Sequence, residues 1–482
     1  MKLSFEYGQG FMDGEFPDST DVFIPGETVP DPAHIPFEKL EEETRKSILN
    51  PIGMEPLSKL AKSAAKPGMK AAIVFPDKVK GGFQATSHRK TSIPIIIEEL
   101  TKAGVNKKDI TLICSNGLHR KNTKAEILSI LGEKVFGEFW PSGQIVNHDS
   151  EDWDNLVDLG KDELGSRVIM NKQVFQADIP ILIGHALGNP YGGYSGGYKH
   201  CTTGITNWQS IASHHNPGVM HKEEFTPVSA HNEMRSRFDA SGRHMEKCMG
   251  KKFFVCDAVL DTKANQIAVF SGYAPEVQGE SWKIADRRTY VPWAEKKYDV
   301  MVFGMPQAFH YGNGMGTNPI LMLQAISANI IRHKRILSDN CVVICSSLCN
   351  GYFHDEEFPS YRATYELFQH DYNNTLPDID RFGEYFAKDP EYIRKYRFNY
   401  AYHPFHAFSM TSCGHIAEMF TKAIYIVGAI EPGYARGMGM KTRATFAEAL
   451  EDANRKYLDS KPNVLALPRA FTTAAVHLCM KA

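Results

Sequence analysis

What the chain lacks narrows it before any motif is read. No apolar run comes near the roughly 18 residues that a membrane-crossing helix needs, so no membrane segment is expected. The opening stretch MKLSFEYGQGFMDGEF carries acids at Glu6 and Asp13 and no continuous apolar segment. It reads as mature protein and not as a secretory signal. Neither sign of charge is in excess: 54 Lys and Arg against 56 Asp and Glu leave a formal net charge of -2. That is too little to draw nucleic acid or an anionic lipid surface to the molecule as a whole. There is no internal repeat and no low-complexity tract. The nine cysteines are an odd number scattered over 482 residues, a pattern of reduced cytoplasmic thiols more than of a disulfide framework. Cys341, Cys345 and Cys349 recur every fourth residue, but the first two bracket the apolar CVVIC. A buried strand is expected there, with core thiols and not cluster ligands.

Two nucleotide signatures are also missing. GGYSGGYKHCTTGI (192–205) ends a glycine-rich turn on a lysine. A phosphate loop, however, needs Lys directly after the last Gly and a hydroxyl residue next. Here Tyr198 intervenes and His200 follows, although bare glycines still let backbone N–H groups approach an anion. GNGMGTN (312–318) lacks the six-residue dinucleotide spacing and has no evident acidic partner about 20 residues on, so it reads as a flexible loop.

What is present is an alternation of short apolar strands with amphipathic helices. AAIVF (71–75), ITLIC (110–114) and IPILIG (179–184) read as strands, each followed by a loop and a helical pattern. Pro94 suits a first helical turn and Gly104 a stop; Thr123 and Glu126 have capping-box spacing. ITNWQSIASHH (205–215) has helical apolar spacing. A second series starts near residue 297 with YDVMVFG, NPILMLQAISANIIRH, CVVICSS, AIYIVG and NVLAL. The expected fold is α/β with two domains, each a mostly parallel sheet flanked by helices, and an active site in the cleft between them. Residues 1–271 form the first domain in this reading, 272–296 the crossing and 297–482 the second. The segment 25–53 could pack on the first domain or cover the cleft.

In parallel sheets ligands bind beyond the carboxyl ends of the strands. Three loops of the first series therefore become neighbours. The first carries Asp77 and Lys80. The second, SNGLHRKN, carries His119 just before a helix, where an imidazole can act as general base near neutral pH. The third carries Lys199 and His200, with His215 at the end of the segment that follows.

SNGLHR, then YGGYSGGYK, then a histidine sixteen residues past that lysine resemble the nickel-pincer-nucleotide lactate racemase family, which includes other 2-hydroxyacid racemases and epimerases. NPILMLQA, SDNCVVICSSLCNG and AIYIVGAIEPGYARGMGMKTRATFAEALEDA extend the resemblance into the second half. The resemblance implies a pyridinium mononucleotide with two sulfur-bearing arms, joined to Lys199 as a thioamide and holding nickel between carbon and the two sulfurs. His215 would be the remaining in-plane nickel ligand, which suits imidazole and the metal's preference for square-planar geometry. Asp77, Ser195, Gly196 and Gly197 are the further cofactor-binding candidates. His119 would take the hydroxyl proton while hydride passes from Cα to the cofactor, giving a transient 2-keto acid. Other enzymes would have to make the cofactor.

The sequence departs from that family at the substrate end. Lys80 stands where lactate racemase has an arginine, and a point charge does not replace a planar fork. Asn189 stands where it has its second acid/base histidine, and an amide exchanges no protons at neutral pH. Ser327, three residues beyond Gln324, stands where a lysine is expected. The expected substrate is therefore a 2-hydroxy acid other than lactate, larger or more hydroxylated, with a sugar acid epimerised at C2 as the best single guess. Lys80, Asn189, Gln324 and Ser327 would bind it. His185 in IGHALGN, or His200, would supply the second base. Two other classes compete: a non-catalytic binder or carrier of the nickel cofactor, and a nicotinamide-dependent dehydrogenase, which the missing glycine fingerprint disfavours.

Overall fold

The computed structural model describes all residues except 222–231, 372, 374, 459–460, 473–475 and 482. Among the described residues, two open sheets flanked by helices carry the fold. The first has six strands in the order Gln266–Tyr273, Phe254–Leu260, Ile179–His185, Ala71–Pro76, Ile110–Ser115, Ile145–Asn147. All its pairings are parallel except that of Gln266–Tyr273 with Phe254–Leu260. Ala71–Pro76 and Ile179–His185 are buried throughout. Such strands read as unbroken apolar runs because helices cover both faces of a parallel sheet. Alternate side chains serve the two faces. Ile73 and Phe75 pack among Ile96 and Ile127 on one side, and Ala72 and Val74 with Tyr198, Met245 and Val277 on the other.

The second sheet has eight strands built around Tyr298–Pro306. Leu337–Ser346, Thr421–Val427 and Lys441–Arg443 follow in parallel on one side, and Val464–Leu467 pairs on the other. CVVIC lies within Leu337–Ser346, its two thiols buried in the core. The start of the chain joins this sheet and not the first. Lys2–Gly8, folded back on Gly10–Glu15, pairs parallel with Tyr298–Pro306, and Asp21–Val22 pairs with Val464–Leu467. The expected first domain of 1–271 is corrected accordingly. Its opening strands are held by Phe5, which packs with Phe16 and Phe446 in the core of the second sheet. The crossing 272–296 is the helix Ala274–Thr289 and the strand Tyr290–Ala294, which pairs with His477–Met480.

Helix ends follow their local chemistry. Thr123 and Glu126 form the reciprocal capping box that starts Lys124–Phe139. Gly104, at φ +98, follows the end of His88–Lys102. Pro94 lies inside that helix and not in its first turn, because the helix begins earlier, at His88. The segment 25–53 packs on the first domain: Ile35 N–H donates to the Gln266 carbonyl at 2.8 Å and Ile52 N–H to the Ser271 carbonyl at 2.8 Å.

Candidate active site

A cavity of about 580 Å³ opens at the carboxyl ends of both sheets, and its wall is drawn from both halves. From the first half come Asp77, Lys80, His119, Asn189, Ser195, Lys199, His200 and His215; Gln324 comes from the second. His185, Gly196, Gly197 and Ser327 are not in the wall.

The Asp77 loop leaves Ala71–Pro76 and is braced from beneath. Arg89, fully buried, donates to the carbonyls of Pro76 (2.9 Å), Asp77 (2.6 Å) and Gly82 (2.9 Å). Asp77 accepts the Val79 N–H through Oδ1 at 3.2 Å, while Oδ2 lies 2.7 Å from His119 Nδ1. Burial acts to raise the Asp77 pKa, but His119, then Lys80 and Arg89, outweigh it and hold the carboxyl below its usual value. An ionised carboxylate fixes the proton on Nδ1, which leaves Nε2 of His119 as the free lone pair. Asp77 therefore partners the imidazole.

His119 is positioned by a turn that only glycine fits. Gly117 has φ +52, and a Cβ there would come 2.2 Å from the Thr203 carbonyl oxygen. Its N–H donates to the Gly204 carbonyl at 3.0 Å, fastening this loop to the Lys199 element. Asn116 completes the turn by donating to the carbonyls of His119 (3.2 Å) and His148 (3.0 Å).

The glycine stretch resumes as a helix. Gly188–Asn189 pairs with Gly193–Tyr194, and Asn189 Oδ1 accepts the N–H groups of Tyr191 and Gly192, each at 2.9 Å. The amide oxygen of Asn189 is thus used within the turn. Gly196 and Gly197, at φ +82 and +49, lie under the Gly197–Gly204 helix, where the Gly197 N–H meets Asp257 at 2.9 Å. A Cβ on Gly196 would fall 2.4 Å from Asp257 Oδ2. The two glycines make room for a buried carboxyl and stand behind the wall. Lys199 is the third residue of that helix. The segment 205–215 contains a short helix, Trp208–Ala212, capped by Asn207; the continuous helix expected there is interrupted because Asn207 turns the chain.

Lys199 is 6% exposed, with its ammonium 5.4 Å from the Phe238 ring centroid. Burial first, then Lys80 and Arg235, hold its pKa well below the ordinary lysine value. Lys80, in hydrogen-bonding contact with it, is lowered by burial too, and Asp77 partly restores it. Of the two, Lys199 is the one held further below the ordinary lysine value. His200 Nε2 meets Ser115 Oγ in a short hydrogen bond, and because Ser115 donates to the Phe75 carbonyl at 3.0 Å, the histidine is the donor. Its Nδ1 is buried without a partner, and burial, then Lys80 and Lys199, lower its pKa to about 3. His215 lies with Nδ1 2.6 Å from His214 Nδ1, and burial holds it well below the usual histidine pKa.

His185 is corrected as a ligand-facing base. Its ring is 3% exposed, packs on His88 at 5.7 Å between centroids and lies under Gly81, whose hypothetical Cβ would come 2.7 Å from Cε1. A strand-end histidine here supports the Lys80 loop. Ser327 is corrected likewise: it is fully buried beside Tyr191, behind the wall.

The sequence reading missed the far wall. His310 and Tyr311 follow the carboxyl end of Tyr298–Pro306, so the rule that found the first three loops reaches them too. His406, on the buried helix Phe405–His415, has its ring 5.6 Å from that of His119. Its Nδ1 lies 2.6 Å from the Tyr361 hydroxyl, and its Nε2 is buried without a partner. A helix buried on every side offers no periodicity to mark such a residue. Among the described residues no three His, Cys, Asp or Glu side chains converge as a metal site. A metal here would need donors from a bound molecule beside the protein's own.

An α/β fold with two open sheets, a buried lysine, a His–Asp pair and a shared cavity is what the comparisons with known proteins are set beside. Residues 7–226 match the lactate racemase N-terminal domain, and two curated lactate racemases are similar to the same half of the chain. The lactate racemase of Lactiplantibacillus plantarum is 27% identical over 233 residues, 48% of this chain and 50% of that protein. That of Thermoanaerobacterium thermosaccharolyticum is 22% identical over 235 residues, covering 48% and 51%. The chain thus aligns with about half the length of these curated relatives. In fold, the lactate racemase apoprotein from T. thermosaccharolyticum covers 99% of this chain and 100% of its own at a TM-score of 0.70 and 18% identity. A Thermotoga maritima protein gives 0.54 at 12% identity, covering 94% and 100%.

Proposed function

We propose that this chain is a racemase or C2-epimerase of a 2-hydroxy acid other than lactate, with the cavity as its active site and a nickel-pincer nucleotide as its cofactor. The observation that carries the reading is the sharing of one cavity by the His119–Asp77 pair and a buried lysine. The residues present fit the cofactor. Lys199 offers an amine whose burial favours the unprotonated form that bonds to an acyl-type carbon, and His215 offers an imidazole from the same wall. When bound, the cofactor supplies the hydride acceptor and donor.

The protein's own share is positioning and proton traffic. Lys80 and Gln324 face the cavity, where they meet the substrate carboxylate. His119 Nε2 takes the hydroxyl proton, and Asp77 stabilises the imidazolium so formed. For the opposite configuration the proton is handled from another direction, where His200, His310 and His406 stand in the wall.

The test is intact mass and bound nickel for wild type and Lys199→Ala, both co-expressed with cofactor-making enzymes, followed by chiral assay of 2-hydroxy acids. A nucleotide-sized covalent addition in wild type alone, with interconversion of one acid, is the expected result. Absence of the addition, with the cofactor present in the same cells, would overturn the reading. Addition with no turnover of any 2-hydroxy acid would make the chain a carrier, a role that needs no His119–Asp77 pair.

A further inference from the structure

The helix Pro319–His333 presents Gln324, Ala325, Ala328 and Arg332 to the cavity. Positions 324, 328 and 332 share one face, one turn apart. A helical side chain leans back toward the N-terminus, and Ala328 leaves the space over its turn open. Arg332 therefore lines the cavity about two helical turns, roughly 12 Å along the helix, from Gln324.

Its electrostatic surroundings are unusual for a half-buried arginine whose Nε is covered. No carboxylate pairs with Arg332 among the described residues, and its Nε is covered and without a hydrogen-bond partner. The nearby charge is another cation, Arg288, and the aromatic neighbour is Tyr191. Burial lowers its pKa to about 10, so it is charged at neutral pH. Arginines away from solvent are ordinarily paired, because removing a charge from water without compensation is costly. Its planar fork matches the two oxygens of a carboxylate or the oxygens of a phosphate. His310 links this end to the reacting end, within electrostatic reach of His119, Lys80 and Arg332 alike.

We propose that Arg332 is an anion-binding group that receives a carboxylate or phosphate of the cavity's ligand, at the end away from the group held by Lys80. This rests on reading the cavity as the active site. It narrows the substrate to a 2-hydroxy acid with a second anionic group, unless the anion is the phosphate of the bound nucleotide.

The experiment separates these two sources without requiring turnover. Calorimetric affinities of the full chain are measured for glutarate, butyrate and nicotinate mononucleotide, in wild type, Arg332→Gln and Arg332→Lys. None of these probes has a 2-hydroxyl, so failure of racemisation would not affect the result. Wild type is expected to bind glutarate at least about tenfold tighter than butyrate, the worth of one charged hydrogen-bonded contact. Arg332→Gln should abolish that preference and Arg332→Lys should retain part of it. Loss confined to glutarate assigns the site to substrate; loss confined to the mononucleotide assigns it to the cofactor's phosphate. Unchanged affinities for both probes in Arg332→Gln, with a thermal midpoint no lower than wild type, would overturn the proposal. If Arg332→Gln does not fold, absence of any glutarate preference and of mononucleotide binding in wild type would overturn it equally.

Discussion

At the scale of single residues, the His119–Asp77 contact makes the sharpest demand. Asp77 keeps the Nδ1 proton in place at 2.7 Å; an amide at the same position can donate to Nδ1 and so move the imidazole proton to Nε2. Asp77→Asn is expected to lower kcat for 2-hydroxyacid interconversion by about two to four orders of magnitude, the usual range of a general base. KM and the covalent addition at Lys199 should change little. An unchanged kcat would remove His119 as the proton acceptor. His119 and Lys199 were legible in the sequence because each follows an apolar strand by a short loop. The partnership of Asp77 with His119 was not, because 42 residues separate them and parallel pairing of Ala71–Pro76 with Ile110–Ser115 alone brings them together.

At the scale of elements, the loop 115–119 and the helix Gly197–Gly204 act as one unit, joined through Gly117 and Gly204. Tyr396, on the helix Pro390–Phe398, holds the same loop by donating its hydroxyl to the Gly117 carbonyl at 2.9 Å. In Gly117→Ala the new methyl group would meet a carbonyl oxygen in a left-handed backbone conformation. A loss of stability of about 1–3 kcal/mol is expected, read as a lower denaturant midpoint, with kcat falling together with it. A variant as stable as wild type would mean that the two elements are not rigidly coupled. Strand and helix positions were legible from periodicity and capping. The Lys199 helix was not, since it is buried on nearly every side and begins with glycines chosen for their fit against Asp257 and Gln278.

At the scale of the whole molecule, stability should depend on pH through the strand that carries the chain's start into the second sheet. Glu6 is 2% exposed, with Oε1 unpartnered and Oε2 accepting the Phe471 N–H at 3.3 Å. Burial raises its pKa from 4.5 to about 7. The unfolded chain releases this proton near pH 4.5, whereas the folded chain keeps it until about 7, so stability falls as pH rises across that window. The term is on the order of 3 kcal/mol. Glu6→Gln should flatten this part of the profile and be the more stable variant at pH 8, as thermal midpoints between pH 4 and 8 would show. Parallel profiles would mean that Glu6 ionises in the fold without penalty.

The sequence by itself determined two mostly parallel sheets, the central strands and several of the helices that build them, and the first-half loops that carry His119, Lys199 and His215. These follow from local properties: apolar run length, helical spacing and the geometry of a parallel crossover. Tertiary structure decided the rest. It placed residues 2–22 in the second sheet, turned His185 and Ser327 into supports, drew the Asn189 amide into its own turn, and set His310, His406 and Arg332 on the far wall. Each of these depends on which surfaces meet across hundreds of residues, and a contact between distant segments leaves no periodicity in either of them.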